Sequence, residues 1–371
     1  MRFNFTGTIK ANPVDSTKGV PFYKTGKTEG GNDYLVLNLA VSEGSNRAFV
    51  EMFGMERDVI KTKNVDGDNI EIDWEDRNDS DAIKDVANYR KFVLSLDEDR
   101  SEYITELDFI KRVAIDISEI NGKRFTITGS TRKNFYKGNV SDRFQIQNIY
   151  EAADDRKDKL ETRDTIYYTK DSVDTSEWKD NKKIIFNCYT REYLSANDTG
   201  ADKGGYYYVE QTYVLDCRKV KFDNEGHVNA MKFRLNMLGL DYEDGKIVNK
   251  IKPKKVISQM ITGRYICGAE EIDFDESQLT AIQKQKIELG LATLDDFRPR
   301  ESIYGERIVE YRISDIPCKG DFSDGPVYLD EKISEFEEEI FTFSEDEVIE
   351  KSDDDASEPE EDDEVDIDDL F

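Results

Sequence analysis

The chain has 371 residues, of which 37 % are hydrophobic, and a net charge of −29, so it is long and apolar enough for two domains with buried cores. The charge is uneven: residues 330–371 hold 22 acidic residues against two lysines, a net charge of −20, which leaves −9 for residues 1–329. A single histidine, His227, and four widely spaced cysteines argue against histidine-based nucleophilic catalysis and against a zinc finger.

The first 150 residues predict five strands and one helix. "RFNFTGTI", "DYLVLNLAV" and "RAFVEMFG" alternate apolar and polar residues, which is the period of half-buried strands. Residues 55–122 form an acidic insertion with strand-like "NIEIDW" and "KFVLSL", followed by helical spacing from Ile104 to Ile117. "KRFTITGSTRKNFYKGNVSDRFQIQNIYEA" then predicts two strands joined by a basic, aromatic loop. A helix between the third and fourth of five strands is typical of an OB fold, so residues 1–150 predict an OB barrel with an inserted α/β segment.

The rest of the chain divides into three parts. Residues 151–181 are highly charged and predict a linker. Residues 182–329 predict a second β-rich domain with a late helix in "QLTAIQKQKIELGL" and with "VNAMKFRLNML" as one of its strands, and an OB-like barrel is the first interpretation. Residues 330–371 predict a disordered acidic tail, because their high charge leaves too little apolar surface to offset the ordering entropy. The predicted fold class is therefore mainly β.

The beginning of the chain, "MRFNFTGTIK", has no apolar core of a secretory signal, and no stretch approaches the roughly 20 apolar residues of a membrane span. The cysteines are expected to pack as small apolar residues in a reducing compartment. We therefore expect a cytoplasmic protein without a membrane partner.

Two segments stand out as basic on an acidic chain. Residues 1–28 carry five cations against Asp15, and residues 123–143 carry six against Asp142. In an OB fold these segments supply the loops that wall the binding groove. Cations neutralise phosphates and aromatic rings stack on unpaired bases, so the interleaved pattern favours single-stranded nucleic acid. For any one ring, packing inward as a cap of the barrel is an equal alternative.

The candidate binding residues follow from these segments. They are Arg2, Lys10, Phe22, Tyr23, Lys24, Lys27, Arg132, Lys133, Phe135, Tyr136, Lys137 and Arg143. In the second domain the candidates are Tyr207, Arg218 and Lys219, where a solvated charged surface is an equal alternative.

Several pieces, in order, resemble the bacterial-type single-stranded DNA-binding proteins (SSB). "FTGTIKANP", "LNLAVS", "VEMFG", "FTITGSTRKNFY" and "DRFQIQNI" resemble their five strands, and the acidic tail ending in Phe371 resembles theirs. The resemblance implies an OB fold that binds single-stranded DNA, with Phe53 at the place of a base-stacking aromatic residue. It also puts Arg132 and Tyr136 at a basic and a stacking position.

The resemblance covers the first 150 residues without the insertion, and the tail. The proline that usually precedes the last Phe is absent, and the insertion and residues 182–330 have no counterpart in the short bacterial form. By analogy, a long, acidic, two-domain version suggests a bacteriophage replication system. The resemblance also implies assemblies of several barrels, so a homo-oligomer such as a dimer, or a monomer with two barrels, would satisfy it.

The tail ends in an apolar pair after a run of carboxylates. We expect Leu370 and Phe371 to enter an apolar pocket on replication or repair proteins, and Asp368 and Asp369 to meet its basic rim. The alternative is a solubilising tail with an accidental ending.

The function expected from the sequence is sequence-nonspecific binding of single-stranded DNA in replication, recombination or repair. Such a protein coats and protects exposed strands and recruits partner proteins through its tip, without enzymatic activity, metal or cofactor. Two alternatives stay open: an acidic protein-interaction or DNA-mimic module, and a metal-dependent nuclease. The sequence contains neither a phosphate-cradling glycine loop nor an H-E-x-x-H motif, so no motif supports the nuclease alternative.

Overall fold

The computed structural model describes residues 1–14, 19–95, 100–136, 139–199, 204–272, 279–297, 303–317, 325–330 and 332–341. The described strands are β1 (Arg2–Lys10), β2 (Tyr23–Lys27), β3 (Asp33–Glu43), β4 (Asn46–Met55), β5 (Val59–Lys63), β6 (Asn69–Asp73), β7 (Arg90–Val93), β8 (Ser101–Tyr103), β9 (Arg124–Tyr136), β10 (Asn139–Glu151), β11 (Lys159–Tyr168), β12 (Val173–Asp174), β13 (Lys183–Leu194), β14 (Gly205–Asp216), β15 (Leu240–Glu243), β16 (Lys246–Asn249), β17 (Ile257–Ile272) and β18 (Ile303–Asp315). The described α-helices are α1 (Ser80–Ile83), α2 (Glu106–Ile115), α3 (Ile117–Ile120), α4 (Trp178–Asn181), α5 (Ala196–Thr199), α6 (Glu225–Met237), α7 (Ala281–Glu288) and α8 (Ile333–Glu338). The prediction of a mainly β fold is confirmed.

Five strands of the first half close into a barrel. Strand β1 pairs with β3 and β9, β3 pairs with β4, β4 pairs in parallel with β10, and β10 pairs with β9. Numbered within the barrel, the strands run in the order 1-2-3-5-4, and α2 lies in the chain between the third and the fourth. This is the five-stranded Greek-key arrangement of an OB fold. Alternating residues such as Phe5, Leu37 and Val50 point inward and are buried, as the sequence pattern predicts.

The second half repeats this topology. Strand β11 pairs with β13 and β17, β13 pairs with β14, β14 pairs in parallel with β18, and β18 pairs with β17. Helix α6 lies between the third and fourth strands, as α2 does in the first barrel. The second domain is therefore a second OB-like barrel. Its late predicted helix is α7, between the fourth and fifth strands.

The predicted linker is wrong, because residues 159–168 form the first strand of the second barrel. Strand β11 buries Leu160, Ile166 and Tyr168. Its alternation was hidden in the sequence because Thr162 occupies a buried position and Asp164 lies between the apolar residues. Trp178, also in the predicted linker, is buried beside Phe222 and Tyr242.

The segment "VNAMKFRLNML" is a helix rather than the predicted strand. Helix α6 begins after Asn224, whose side chain accepts a hydrogen bond from the backbone N–H of His227. Met231 and Leu235 are four residues apart and both buried, so the helical period matches the core. Because apolar residues also fall at every second or third position, the segment imitates a strand.

The two barrels meet along their first strands and share one core. Residues Arg2–Thr6 of β1 pair antiparallel with residues 159–163 of β11. Beside this pairing, the ring of Tyr265 from the second barrel lies 5.0 Å from that of Phe144 in the first. Apolar contacts and main-chain hydrogen bonds therefore both join the barrels.

The insertion adds strands to the first barrel. Strand β7 pairs in parallel with the end of β10, and β8 pairs with β7, so the barrel sheet continues into the insertion. The hairpin of β5 and β6 packs over a small core of Ile60, Ile72 and Val86. The predicted strands "NIEIDW" and "KFVLSL" correspond to β6 and β7, and the predicted helix corresponds to α2.

The first part of the predicted disordered tail is ordered. Helix α8 buries Phe336 against Tyr208 of the second barrel, and the backbone N–H groups of Tyr208 and Phe341 donate to the carbonyls of Glu339 and Tyr208. The apolar spacing of Ile333, Phe336 and Ile340 explains this docking, and the many surrounding acids concealed it.

Residues 342–371 lie outside the described residues, and so do the predicted partner-binding residues Asp368, Asp369, Leu370 and Phe371. Within the described part of the chain, the helices are too short or too polar to cross a bilayer.

Candidate nucleic-acid interface

The outer surface of the first barrel carries a row of cations and rings that crosses five strands. Lys10 on β1 lies opposite Ala40 on β3, and Ala40 lies opposite Phe49 on β4. Arg143 on β10 follows next to Phe49, because the adjacent residues Phe144 and Val50 are paired, and Arg143 lies opposite Arg132 on β9. Paired residues point to the same side of a sheet, so strand register alone aligns these side chains.

A second row runs parallel to the first, four residues away along β4 and β3, with Glu51 and Asn38 between the two rows. Lys24 on β2 lies opposite Val36, and Val36 lies opposite Phe53. Strand β2 pairs with the half of β3 that β1 leaves open, which brings Lys24 to this surface. We call the surface formed by Lys10, Lys24, Tyr34, Phe49, Phe53, Arg132 and Arg143 the β3–β4 face.

The aromatic rings of this face are presented to solvent. Phe49 is 44 % exposed and Phe53 is 50 % exposed, whereas Ala48, Val50 and Met52 between them are buried. The ring of Tyr34 stacks on that of Phe53, with centroids 5.5 Å apart and planes 29° apart. Tyr34 lies across Gly26, where a side chain would collide with its ring. The face therefore has two exposed rings, Phe49 and Phe53, and the ring of Tyr34 supports that of Phe53.

The two arginines of the face are held by long, exposed ion pairs. Arg143 lies 3.6 Å from Glu51, and Arg132 lies 3.5 Å from Asp198 of the second barrel, with both arginine side chains more than half exposed. Burial would raise the pKa of Asp198, but hydrogen bonds from Ser195 and the charge of Arg132 lower it below its usual value. Exposed ion pairs of this kind contribute little to stability, so phosphate groups can compete for the arginines.

Two clefts flank the row of Phe49 and Arg143. One, of about 290 Å³, is lined by Lys10, Phe49 and Arg143, and the other, of about 490 Å³, is lined by Phe53, Arg132 and Arg143. Both clefts open beside Arg143, which lines each of them. Among the described residues, no cluster of three or more His, Cys, Asp or Glu side chains is arranged to hold a metal ion.

Four candidate residues from the N-terminal segment lie elsewhere. Phe22 and Tyr23 are half-buried and pack against the barrel core, which agrees with the alternative of a cap, and burial raises the pKa of Tyr23. Lys27 is exposed at the far end of the β2–β3 pair and lies 2.8 Å from Asp33. Arg2 is exposed opposite Ser130 and Arg163, at the joint of the barrels.

The predicted loop around residue 136 is a long arm that reaches the second barrel. Lys133 is only 5 % exposed, pairs with Asp142 at 3.0 Å and donates a hydrogen bond to Gln211 of β14. The hydroxyl of Tyr311 donates to the same Asp142 at 2.8 Å. The charge of Lys133 is therefore balanced by Asp142 within a buried network. Lys133 does not belong to the β3–β4 face, because neighbouring residues of a strand point to opposite sides and Arg132 points to the face.

The end of the arm is used for packing as well. The ring of Phe135 lies 5.2 Å from that of Phe341, which also contacts Tyr207 of β14. The side chain of Tyr136 and all of Lys137 lie outside the described residues, so their predicted contacts stay predictions.

Sequence reasoning missed Phe49. It lies four residues before Phe53 on β4, and the alternation of "RAFVEMFG" already puts Phe49, Glu51 and Phe53 on one side of the strand. Phe53 entered as a candidate by resemblance alone, and the same alternation applied to the whole strand identifies both rings.

Part of the corresponding surface of the second barrel is covered, whereas Tyr193 and Tyr206 on it are 59 % and 61 % exposed. Phe336 of α8 packs on Tyr208 and Tyr189, on the outer side of β14 and β13. The candidate Tyr207 contacts Phe341, and Arg218 forms an ion pair with Asp216 at 2.6 Å. Lys219 is exposed beyond the end of β14, away from this surface. None of these three second-domain candidates extends the β3–β4 face.

No protein-family model and no curated protein matches the chain. Among solved structures, the wild-type single-stranded DNA binding protein from Thermus aquaticus is similar over 87 % of this chain and 96 % of that chain, with 10 % sequence identity and a TM-score of 0.27. A deletion mutant of the T. aquaticus protein is similar over 72 % of this chain and 86 % of that chain, with 8 % identity and a TM-score of 0.27. Values this low do not establish a common family, so the function is inferred from the geometry of the β3–β4 face.

Proposed function

We propose that the protein binds single-stranded DNA without sequence preference through the β3–β4 face. The observation that carries this proposal is the row in which exposed Phe49 lies between Lys10 and Arg143, with Phe53 exposed on the same strand. Rings can stack on any base, at about 1–3 kcal/mol per base, while the cations contact phosphates. A duplex keeps its base faces stacked inside, so exposed rings favour a single strand.

Titration with oligo-dT at two salt concentrations tests this function. If Lys10, Lys24, Arg132 and Arg143 each contact one phosphate, the affinity falls about 50-fold between 50 and 200 mM salt, since each contact contributes about −0.7 to the logarithmic slope. One series includes Mg²⁺. Because we propose no enzymatic activity, we expect the oligonucleotide to be recovered intact from it. Absence of binding at 50 mM salt would instead favour the acidic DNA-mimic alternative, and cleavage would favour the nuclease.

We further propose that the protein acts in DNA replication, recombination or repair, where it coats exposed strands and recruits partners through the end of its tail. Support comes from the sequence, in which Leu370 and Phe371 follow a run of acids. Removal of residues 368–371 is expected to abolish capture of replication or repair proteins and to preserve or tighten oligo-dT binding. Pull-down from a bacterial lysate compares the shortened protein with the full chain. If both capture the same proteins, the tail proposal is wrong, while the proposal that the β3–β4 face binds DNA still stands.

A further inference from the structure

A second cationic surface lies where the insertion meets the first barrel. A cleft of about 650 Å³ opens between the β5–β6 hairpin, β7 and the outer side of β10. Its charged lining consists of five cations and one carboxylate: Arg57, Lys61, Lys63, Arg90, Lys91 and Glu106. We call it the insertion cleft. The insertion as a whole has 19 acidic residues against 10 basic ones, so the fold has gathered half of its cations here.

Three of the five cations of the cleft, Arg57, Lys61 and Lys63, are available for a ligand. Arg57 and Lys63 are exposed, and neither forms an ion pair or a side-chain hydrogen bond within the described ranges. Lys61 lies on the same side of β5 as Lys63, since they are two residues apart, and its ion pair with Glu71 is 3.4 Å long and largely exposed. Such side chains bind an anion without breaking a buried network.

The cleft is continuous with the β3–β4 face. Gln147 of β10 lines one cleft together with Phe53 of β4 and Arg90 of β7, and it lies next to Arg90 because its neighbour Asn148 pairs with Lys91. Arg90, Glu106 and Gln147 line both the insertion cleft and the 490 Å³ cleft that contains Phe53 and Arg132. Arg90 forms an ion pair with Glu106 at this junction, and its Nε is buried with no hydrogen-bond partner among the described residues. The two clefts therefore adjoin at these residues, so a DNA strand that leaves the face at Phe53 meets the insertion cleft next.

The chemistry of the cleft suits phosphates rather than bases. The three rings that line it, Trp74, Tyr89 and Tyr150, are half-buried: Trp74 packs against both neighbouring cores, and the hydroxyl of Tyr89 donates to the carbonyl of Ile83. Cations without exposed rings neutralise a backbone but cannot stack on bases. This contrasts with the β3–β4 face, where cations and exposed rings occur together.

We infer that the insertion cleft binds the phosphodiester backbone of single-stranded DNA that leaves the β3–β4 face, and so lengthens the binding site of the first barrel. This inference rests on the proposed function. It assigns the insertion a role as a backbone clamp, in which Arg57 and Lys63 contact phosphates beyond the bases that stack on Phe49 and Phe53.

The test compares two oligonucleotides on the full chain. One is an oligo-dT of about 8 nucleotides, within the site size of a single OB fold, and the other carries an extension of the same length made of abasic phosphodiester units. We expect the wild type to bind the extended molecule more tightly. In the Arg57→Glu/Lys63→Glu variant this gain disappears while affinity for the short oligo-dT is kept. For the extended molecule, the fall in affinity between 50 and 200 mM salt is about sevenfold smaller in this variant, because two phosphate contacts are lost.

The matched control is Lys84→Glu/Lys111→Glu, which reverses two exposed cations of the insertion that do not line the cleft. It should keep the full gain. If the Arg57→Glu/Lys63→Glu variant also keeps the gain, or if both double variants lose it equally, the inference is wrong while the proposed function stands. If the wild type binds neither oligonucleotide, the proposed function itself fails, and the inference fails with it.

Discussion

Replacement of both exposed rings, Phe49→Ala with Phe53→Ala, is expected to weaken oligo-dT binding by at least about 30-fold. Each ring is worth about 1–3 kcal/mol when it stacks on a base, and 1.4 kcal/mol corresponds to a tenfold change in affinity. The salt dependence should stay that of the wild type, because every cation of the face is kept. Fluorescence anisotropy at 50 and 200 mM salt measures both quantities.

Loss of folding is not expected to explain this effect. Both rings are about half exposed on the outside of the barrel, and the inward residues Ala48, Val50 and Met52 that fill the core are unchanged. Phe222→Ala is the control, since it removes a 38 % exposed ring from the second barrel, away from the face. If the double variant binds as tightly as this control, single-stranded DNA does not stack on the β3–β4 face.

Gly54→Ala is expected to lower the free energy of unfolding by about 1–3 kcal/mol, or more where the backbone cannot shift. A Cβ at residue 54 would lie 2.5 Å from the backbone N of Leu107 and 2.8 Å from the carbonyl carbon of Glu106. Those atoms belong to the first turn of α2, which Thr105 caps by accepting a hydrogen bond from the backbone N–H of Asp108. The methyl group therefore has to displace the start of the helix that closes the barrel.

The matched control for this substitution is Gly30→Ala. Its added Cβ would meet only the side-chain oxygen of Thr28, at 3.8 Å, and its backbone is not in the left-handed region. Such a change is neutral or slightly stabilising, because it restricts the unfolded chain. Chemical denaturation of the two variants provides the comparison. Equal stabilities would mean that α2 shifts freely on the barrel and that Gly54 is not needed for its position.

Much of the fold could be predicted from patterns among residues that are close together in the sequence. Period-two alternation located the strands of the first barrel, and their order around one helix gave the OB topology, because each strand must bury one side. The same rule failed at β11, where the buried Thr162 and the neighbouring Asp164 replace apolar residues. It also failed at α6, where apolar residues fit both a helix and a strand.

Only part of the candidate site could be predicted from the sequence, because local patterns identify basic, aromatic segments but not the direction of each side chain. Lys10, Lys24, Phe53, Arg132 and Arg143 are on the β3–β4 face as one group, although they come from five strands. Lys133 and Phe135 share their basic, aromatic segment yet point to the other side of β9, into contacts with the second barrel. A charged or aromatic segment shows that a surface exists, but which of its side chains reach that surface depends on strand parity and on what packs behind.

The amino-acid sequence by itself determined the strand pattern of the first barrel, the concentration of acid in the last residues and the presence of basic, ring-bearing segments. These properties are local, because they follow from the period of the backbone and from composition. Only the tertiary structure decided that the second half repeats the first, that residues 332–341 dock on the second barrel and that an acidic insertion presents a cationic cleft. Each of those depends on pairing between residues far apart in the chain, which places side chains together according to strand register and not according to their spacing along the sequence.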